Sequence, residues 1–364
     1  VGGQIGQPQR LQHRAGQRIL RRGRAGQQQP QDGGGAKGGQ VAAAHRAIVS
    51  RPPGENHDFV NKLRVAPKNA LGLDAGGTHT RWAVVGASGV LHAQGEAPPL
   101  SGLQLHTPEG RAEAQATLET IAAAAGRVYA VLAGVTGFDS SQMPWLSNML
   151  AATMRVDVAA VQTMTDIELA CHAAGEGYVV YAGTGSVAAF LDAKGVLQRV
   201  GGRGPVIDDA GGGHWIAREA LRRIWRAEDD CPGTWRDSPM ATRLLQQMGG
   251  TEWTHTRNWV YGASRGQLGM LALGVAATAG EDPAAMSLLM QAGTELSRLV
   301  LALIRRHGPR SVVLAGRVFN LHPAVEIALR RELPPDTPVR RLSMPAHHAA
   351  AQIAASRAEA RHKR

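Results

Sequence analysis

Leu71-Gly72-Leu73-Asp74-Ala75-Gly76-Gly77-Thr78-His79-Thr80-Arg81-Trp82-Ala83-Val84-Val85 reads as a strand, a tight glycine turn and a second strand. The first apolar run ends on a carboxylate. Two glycines then let the chain turn and leave no side chain in the way of a close ligand. Thr78 adds a hydroxyl beside free backbone N–H groups, a cradle suited to phosphate oxygens. Asp74 stands at the mouth, where a hydrated Mg²⁺ can be held through one carboxylate plus phosphates. Taken alone, the stretch reads equally well as a β-hairpin with a polar turn, so its weight depends on the rest of the chain.

Working outward, three short strands are expected at 70–74, 80–86 and 90–96, with turns at Gly76-Gly77 and Ala87-Ser88-Gly89. A helix is expected over 108–125, with Pro108 in its first turn. Strands are then expected over 128–133 and 158–161, and helices over 143–153 and 166–174. A second three-strand meander covers 178–200, again with a glycine–threonine turn at Gly183-Thr184-Gly185-Ser186. A helix is expected over 215–225, and residues 240–305 read as mainly helical, in the segments 241–248, 267–280 and 284–307. A strand at 311–314, a helix at 324–332, a strand at 339–342 and a helix at 346–361 complete the chain. A meander succeeded by βα units, occurring twice, points to two similar α/β halves around a cleft.

The chain has 364 residues and a formal net charge of +11, which at first suggests a nucleic-acid partner. The charge is not spread evenly. Residues 1–68 hold 12 Lys/Arg against 3 Asp/Glu, and the remainder holds 28 against 26. The body is therefore close to neutral, which speaks against nucleic-acid binding. The Gly-, Gln- and Arg-rich segment 1–68 has too few large apolar residues to offset chain entropy. It is expected to be a disordered basic tail or a mis-called start. Two cysteines, Cys171 and Cys231, are too few for a disulfide framework or a four-cysteine metal site. With no secretory pattern and no uninterrupted apolar run of about 20 residues, a cytoplasmic protein without a membrane span is expected.

Thr165-Asp166 lies at a strand end and helix start. Its carboxylate is placed either to take a proton from an acceptor hydroxyl or to favour the positive end of its helix. The run Gly201-Gly202-Arg203-Gly204-Pro205-Val206-Ile207-Asp208-Asp209-Ala210-Gly211-Gly212-Gly213 sets two adjacent acids between glycines. It suits a mobile loop or a hydroxyl-binding site, where one of Asp208 and Asp209 accepts hydrogen bonds from sugar hydroxyls.

In this order, these pieces resemble the N-acetylglucosamine kinases and the wider BadF/BadG/BcrA/BcrD ATPase family, over about residues 70–360. Asp74-Ala75-Gly76-Gly77-Thr78 is similar to the first phosphate motif, and Gly183-Thr184-Gly185-Ser186 to the second. Thr165-Asp166 with Ala170 beyond it resembles the motif carrying the catalytic base. Gly202-Arg203-Gly204, Asp209, Gly211 and Trp215-Ile216 resemble the sugar loop, and Ala315-Gly316-Arg317-Val318-Phe319 the adenosine motif. The resemblance implies an α/β fold of two ribonuclease H-like (actin-like ATPase) domains around a nucleotide cleft. The first would span 69–176 plus 343–360, and the second 177–342 with helical additions. It implies that Gly76, Gly77, Thr78, Gly183, Thr184 and Gly185 contact ATP phosphates and that Asp74 positions Mg²⁺. Gly316 and Arg317 would approach the adenosine. Ser186, Val187, Gly202, Arg203, Gly204 and Asp209 would line the sugar pocket, with Asp166 as base.

The implied activity is ATP-dependent phosphorylation of an amino sugar, N-acetylglucosamine or glucosamine, by a homodimer. The sequence departs from the family pattern in three places. Residues 98–104 lack the sugar-binding Asn, Arg203 stands where an aromatic residue is usual, and Asp208-Asp209-Ala210-Gly211 replaces Gly-Asp-Glu-Gly. Two alternatives accompany this reading. One is an ATPase that activates a radical dehydratase, which would need bridging cysteines near Gly183, where Val180-Tyr181-Ala182 stand. The other is a sugar or nucleotide sensor with weakened turnover.

Overall fold

The computed structural model describes residues 69–362. The expectation for 1–68 lies outside the described residues. The chain opens with β1 (Ala70–Ala75), β2 (Thr80–Val85) and β3 (Leu91–Ala97), an antiparallel meander. Helix α1 (Pro108–Ala125) comes next. Its start is fixed by Thr107, whose hydroxyl accepts from the Gly110 N–H at 3.0 Å, and by Pro108 in the first turn. Then come β4 (Ala130–Val135), α2 (Met143–Met154), β5 (Val161–Thr165) and α3 (Asp166–Ala174). Strands β1, β4 and β5 run parallel, so the first sheet has the order β3-β2-β1-β4-β5.

The second sheet repeats this plan. Strands β6 (Tyr178–Ala182), β7 (Ser186–Leu191) and β8 (Leu197–Gly201) form its meander. Five helices are inserted before the next strand: α4 (Gly213–Asp230), α5 (Pro239–Gln247), α6 (Trp253–Gly262), α7 (Arg265–Thr278) and α8 (Pro283–His307). Then β9 (Val312–Ala315), α9 (Pro323–Glu332), β10 (Val339–Arg341) and α10 (Ala346–His362) close the chain. The order β10-β9-β6-β7-β8 is that of the first sheet with its elements renumbered.

Two elements depart from expectation. Residues 158–160 form a 3₁₀ turn, with Asp157 accepting from the Ala159 N–H, and the strand runs over Val161–Thr165 instead. Helix α6 has no counterpart among the expected segments, because its Thr, His, Asn and Trp residues are weak helix formers. Tertiary contact sustains it: the Trp225 and Trp253 rings meet edge to face at 5.3 Å.

Helix α8 is long and apolar enough, by length and composition, to cross a membrane. Its apolar side is nonetheless core: Leu288, Leu289, Ala292, Leu296, Val300 and Leu303 are sealed against the second half.

Each half lends a helix to the other. Although α3 comes after β5 of the first sheet, its Ile167, Ala170, Cys171 and Ala174 pack with Val179, Ala189, Val313 and Ala315 of the second. Conversely α10, which comes after β10, lays Ala350, Ala351, Ala354 and Ala355 on Ala70, Ala83, Val85, Ala130 and Leu132 of the first. At Gly72 the approach is backbone to backbone. A Cβ there would lie 2.1 Å from the Ala351 nitrogen and 2.2 Å from the His347 oxygen.

Candidate active site

A cavity of about 990 Å³ opens between the carboxyl ends of the two sheets. That size holds a nucleotide and a small acceptor together. It is lined by Asp74, Gly76, Gly77, Thr78 and Asp166 from the first half, and by Gly183, Thr184, Gly185, Ser186 and Val187 from the second. Gly202, Gly204, Asp209, Gly316 and Arg317 complete the set brought together from those singled out in the sequence. Arg203 alone does not join them. It is exposed and does not line the cavity.

The first turn is closed by the Gly76 N–H donating to the His79 carbonyl at 3.0 Å. The second is closed by the Gly183 N–H donating to the Gly185 carbonyl at 2.9 Å. The carbonyls of Gly183 and Thr184 accept from the Gly213 and His214 N–H groups at 2.8 and 3.0 Å, which ties the turn to the first turn of α4. Gly212 must be glycine for this docking, since a Cβ would fall 2.7 Å from the Gly185 carbonyl carbon. Arg317 donates to the Thr78 hydroxyl at 3.4 Å, so the Gly316-Arg317 and Gly76-Gly77-Thr78 segments touch across the cleft. Gly316 adopts φ +95°, and a Cβ on it would lie 2.3 Å from the Ala182 oxygen.

Asp166 begins α3, but the cap is Thr165, whose hydroxyl accepts from the Glu168 N–H at 3.3 Å. The Asp166 carboxylate is left free for the cavity. Its Oδ1 accepts from the Ile167 N–H at 2.8 Å, and it also accepts a hydrogen bond from the Thr136 hydroxyl. Burial pushes its pKa above the ordinary carboxylate value, against the pull of those donors. Asp74, on β1 opposite Arg81 of β2, is pushed up to about 6, first by burial and then by the nearby charge of Asp166, with Arg81 opposing. Two desolvated carboxylates thus share one cavity.

The two adjacent acids of the glycine-rich run part company. Asp208 pairs with Arg298 at 3.1 Å and anchors the loop to α8. Asp209 is buried in a left-handed conformation at φ +57°. Its Oδ1 accepts from the Gly204 N–H at 3.0 Å and its Oδ2 from Arg265 at 3.4 Å. It presses so close on Gly185 that a Cβ there would lie 2.3 Å from Oδ2. Strain of this kind collects at functional sites. Burial raises the Asp209 pKa, and the Gly204 N–H and Arg265 lower it. The Ser186 hydroxyl donates to the Ala210 carbonyl at 2.7 Å, so it holds the loop as well as lining the cavity.

Sequence reasoning passed over Arg81, Thr136, Tyr181 and Arg265, all of which line the cavity. Arg265 carried one readable signal. Ser264 and Gln267 form a capping box that starts α7 two residues before the expected boundary and sets Arg265 at its mouth. Cys171 is buried in α3 with its thiol pushed up to about 12, first by burial and then by Glu168, and Cys231 is exposed. Neither lines the cavity.

The sequence model of the BadF/BadG/BcrA/BcrD ATPase family matches residues 71–350. Among solved structures, the chain is similar to a provisionally assigned N-acetylglucosamine kinase from Chromobacterium violaceum. The identity is 26%, covering 79% of this chain and 99% of that one, with a TM-score of 0.63. A second such assignment, from Porphyromonas gingivalis, shows 18% identity over 79% and 99% of the two chains, also with a TM-score of 0.63. A ROK family glucokinase from Streptomyces griseus, in complex with glucose and AMPPNP, shares the fold. Its identity is 17% over 79% and 98%, with a TM-score of 0.51. No curated protein matches the chain. The two repeated sheets are thus the two ribonuclease H-like halves of an actin-like ATPase fold, as the sequence led us to expect.

Proposed function

The chain belongs to the BadF/BadG/BcrA/BcrD ATPase family, and from that premise we propose that it is an ATP-dependent kinase of an amino sugar, with Asp166 as general base. The observation that carries this reading is the convergence of both glycine–threonine turns, Asp74, Asp166 and Asp209 on one cavity. Phosphoryl transfer is chiefly a matter of positioning and charge stabilisation, which backbone donors and a few fixed charges supply.

The two turns hold the phosphates. Asp209, held by Gly204 and Arg265, accepts from hydroxyls of the sugar. Asp166 accepts the proton of the attacking hydroxyl. The sugar oxygen then forms its bond to the terminal phosphorus, and the bond to the bridging oxygen breaks, with the electron pair leaving on ADP. Burial raises the Asp166 pKa, which makes its carboxylate a stronger base toward that proton.

The residues fit a magnesium ion as well. Among the described residues, no group of three or more His, Cys, Asp or Glu side chains forms a self-sufficient metal site. Mg²⁺ bound with a nucleotide, however, asks for only one or two carboxylates. Asp74, buried beside a second acid, is the group whose charge such an ion would offset, and the ion would screen the phosphate charge. The similarity to the Chromobacterium violaceum protein supports an amino sugar as acceptor.

The test is coupled ADP release over glucosamine, N-acetylglucosamine, N-acetylmuramic acid and glucose, with Asp166→Asn alongside. The variant should bind ATP and lose most turnover. Near-normal turnover would refute the base, and no ADP release with any sugar would refute the kinase.

A further inference from the structure

Tyr181 enters the cavity from β6, the central strand of the second sheet, two residues before the second glycine–threonine turn. It pairs with Val187 on β7 and Ala315 on β9, and all three line the cavity. Its ring packs against the cluster that includes Ile167 and Ala170 of α3, the helix that Asp166 begins. The ring also fills the space above Gly183. A Cβ on that glycine would lie 3.2 Å from Cε1 and 3.9 Å from the hydroxyl of Tyr181.

The hydroxyl has no hydrogen-bond partner among the described residues, and it is not sealed from the cavity. The contrast with Tyr178, three residues earlier, is plain: that hydroxyl faces the other side of the sheet and donates to the Gly308 carbonyl at 2.7 Å. A phenol set this deep ordinarily finds an acceptor. The hydroxyl lies beside the Gly183 turn, in the cavity that Asp74 and Asp166 also line. In the kinase reading, a terminal phosphoryl group held by that turn would bring an acceptor within its reach.

We propose that the Tyr181 hydroxyl donates a hydrogen bond to the terminal phosphate of the bound nucleoside triphosphate, making Tyr181 a catalytic contact. The proposal rests on the kinase reading. A neutral donor at this position adds stabilisation where charge shifts during transfer and adds no further cation to a cleft that already holds Arg81 and Arg317.

The experiment compares binding of AMPPNP and of ADP, each with magnesium, to the full chain and to Tyr181→Phe by calorimetry. Tyr181→Phe should weaken AMPPNP about ten- to a hundredfold, as expected for a bond to a charged acceptor, and leave ADP unchanged. It should lower kcat and spare the sugar KM. Tyr181→Leu, which removes the ring too, should show the same selective loss of triphosphate affinity, and thermal melts establish that both variants are folded. An unchanged AMPPNP-to-ADP ratio in folded Tyr181→Phe overturns the proposal while leaving the kinase reading intact. The same holds if the ratio is unchanged but the acid limb of the pH–rate profile moves, since the phenol then serves Asp166. A wild-type chain that binds neither nucleotide overturns the kinase reading itself.

Discussion

Asp74→Asn is expected to stabilise the ligand-free protein and silence it together. The Asp74 carboxyl is raised from the ordinary 3.8 to about 6, by burial first and Asp166 second, with Arg81 opposing. At about 1.4 kcal/mol per pKa unit, keeping it ionised near neutrality costs the fold up to about 3 kcal/mol. Linkage sets the sign. A folded pKa above the unfolded one contributes stability that is complete below 3.8 and is lost as pH rises through about 6. The carboxamide has the same shape and never ionises, so the variant escapes that loss.

The two proteins should therefore melt together near pH 4 and separate as pH rises. The gap should level off above about pH 7 at roughly 5 °C for a chain of this size. The assay is a series of thermal melts across that range without nucleotide, paired with ADP release at neutral pH. A variant that melts at or below wild type at about pH 8, or a gap that ignores pH, would refute the reasoning.

The pH–rate profile of kcat/KM should show an acid limb above the usual carboxylate range, because burial raises Asp166, and a rate that stays level down to about pH 4 would contradict this. Thr136→Val removes a donor that favours the charged form, so that limb should shift to higher pH. Gly316→Ala, at φ +95° with a Cβ 2.3 Å from a backbone oxygen, should cost about 3 kcal/mol or more by denaturant titration. Gly77→Ala, where a Cβ meets nothing within 4 Å, should stay within about 0.5 kcal/mol. Asp282 is buried and accepts from Ser238, Met240, Ala284 and Ala285, and Asp282→Asn should cost about 2–3 kcal/mol. Burial raises that carboxyl, but its donors outweigh burial and hold it below the usual range. Its contribution is then lost as pH falls, and the difference from wild type should narrow in acid.

The parts of the site that could be read in the sequence are those where chemistry dictates residue type over a short span. Gly76-Gly77-Thr78 and Gly183-Thr184-Gly185 announce themselves as glycine–threonine turns at the end of an apolar strand, and at Gly185 a Cβ would lie 2.3 Å from the Asp209 carboxylate. Thr165-Asp166 is visible as a strand-to-helix junction, although which of the two caps and which faces the cavity is settled only by the Glu168 N–H turning to Thr165. The division of labour between Asp208 and Asp209 was out of reach, because it depends on Arg298 and Arg265, 90 and 56 residues away. Thr136, just past β4, and Tyr181 on β6 look like ordinary strand-end and strand residues until the fold brings Thr136 to Asp166 and Tyr181 to the cavity. Arg203 shows the converse: Gly202 and Gly204 on either side of it line the cavity, and Arg203, which is exposed, does not.

The exchange of helices between the halves governs the order in which the protein can be completed on the ribosome. Strand β1, bearing Asp74, emerges early. The helix that covers it, with backbone against backbone at Gly72, is the last described element of the chain. Until α10 is released from the exit tunnel, the apolar floor formed by Ala70, Ala83 and Leu132 lies open, and β1 has no roof to hold its shape. A nascent chain stopped short of Ala346 is thus left not with a weaker enzyme but with an unfinished one.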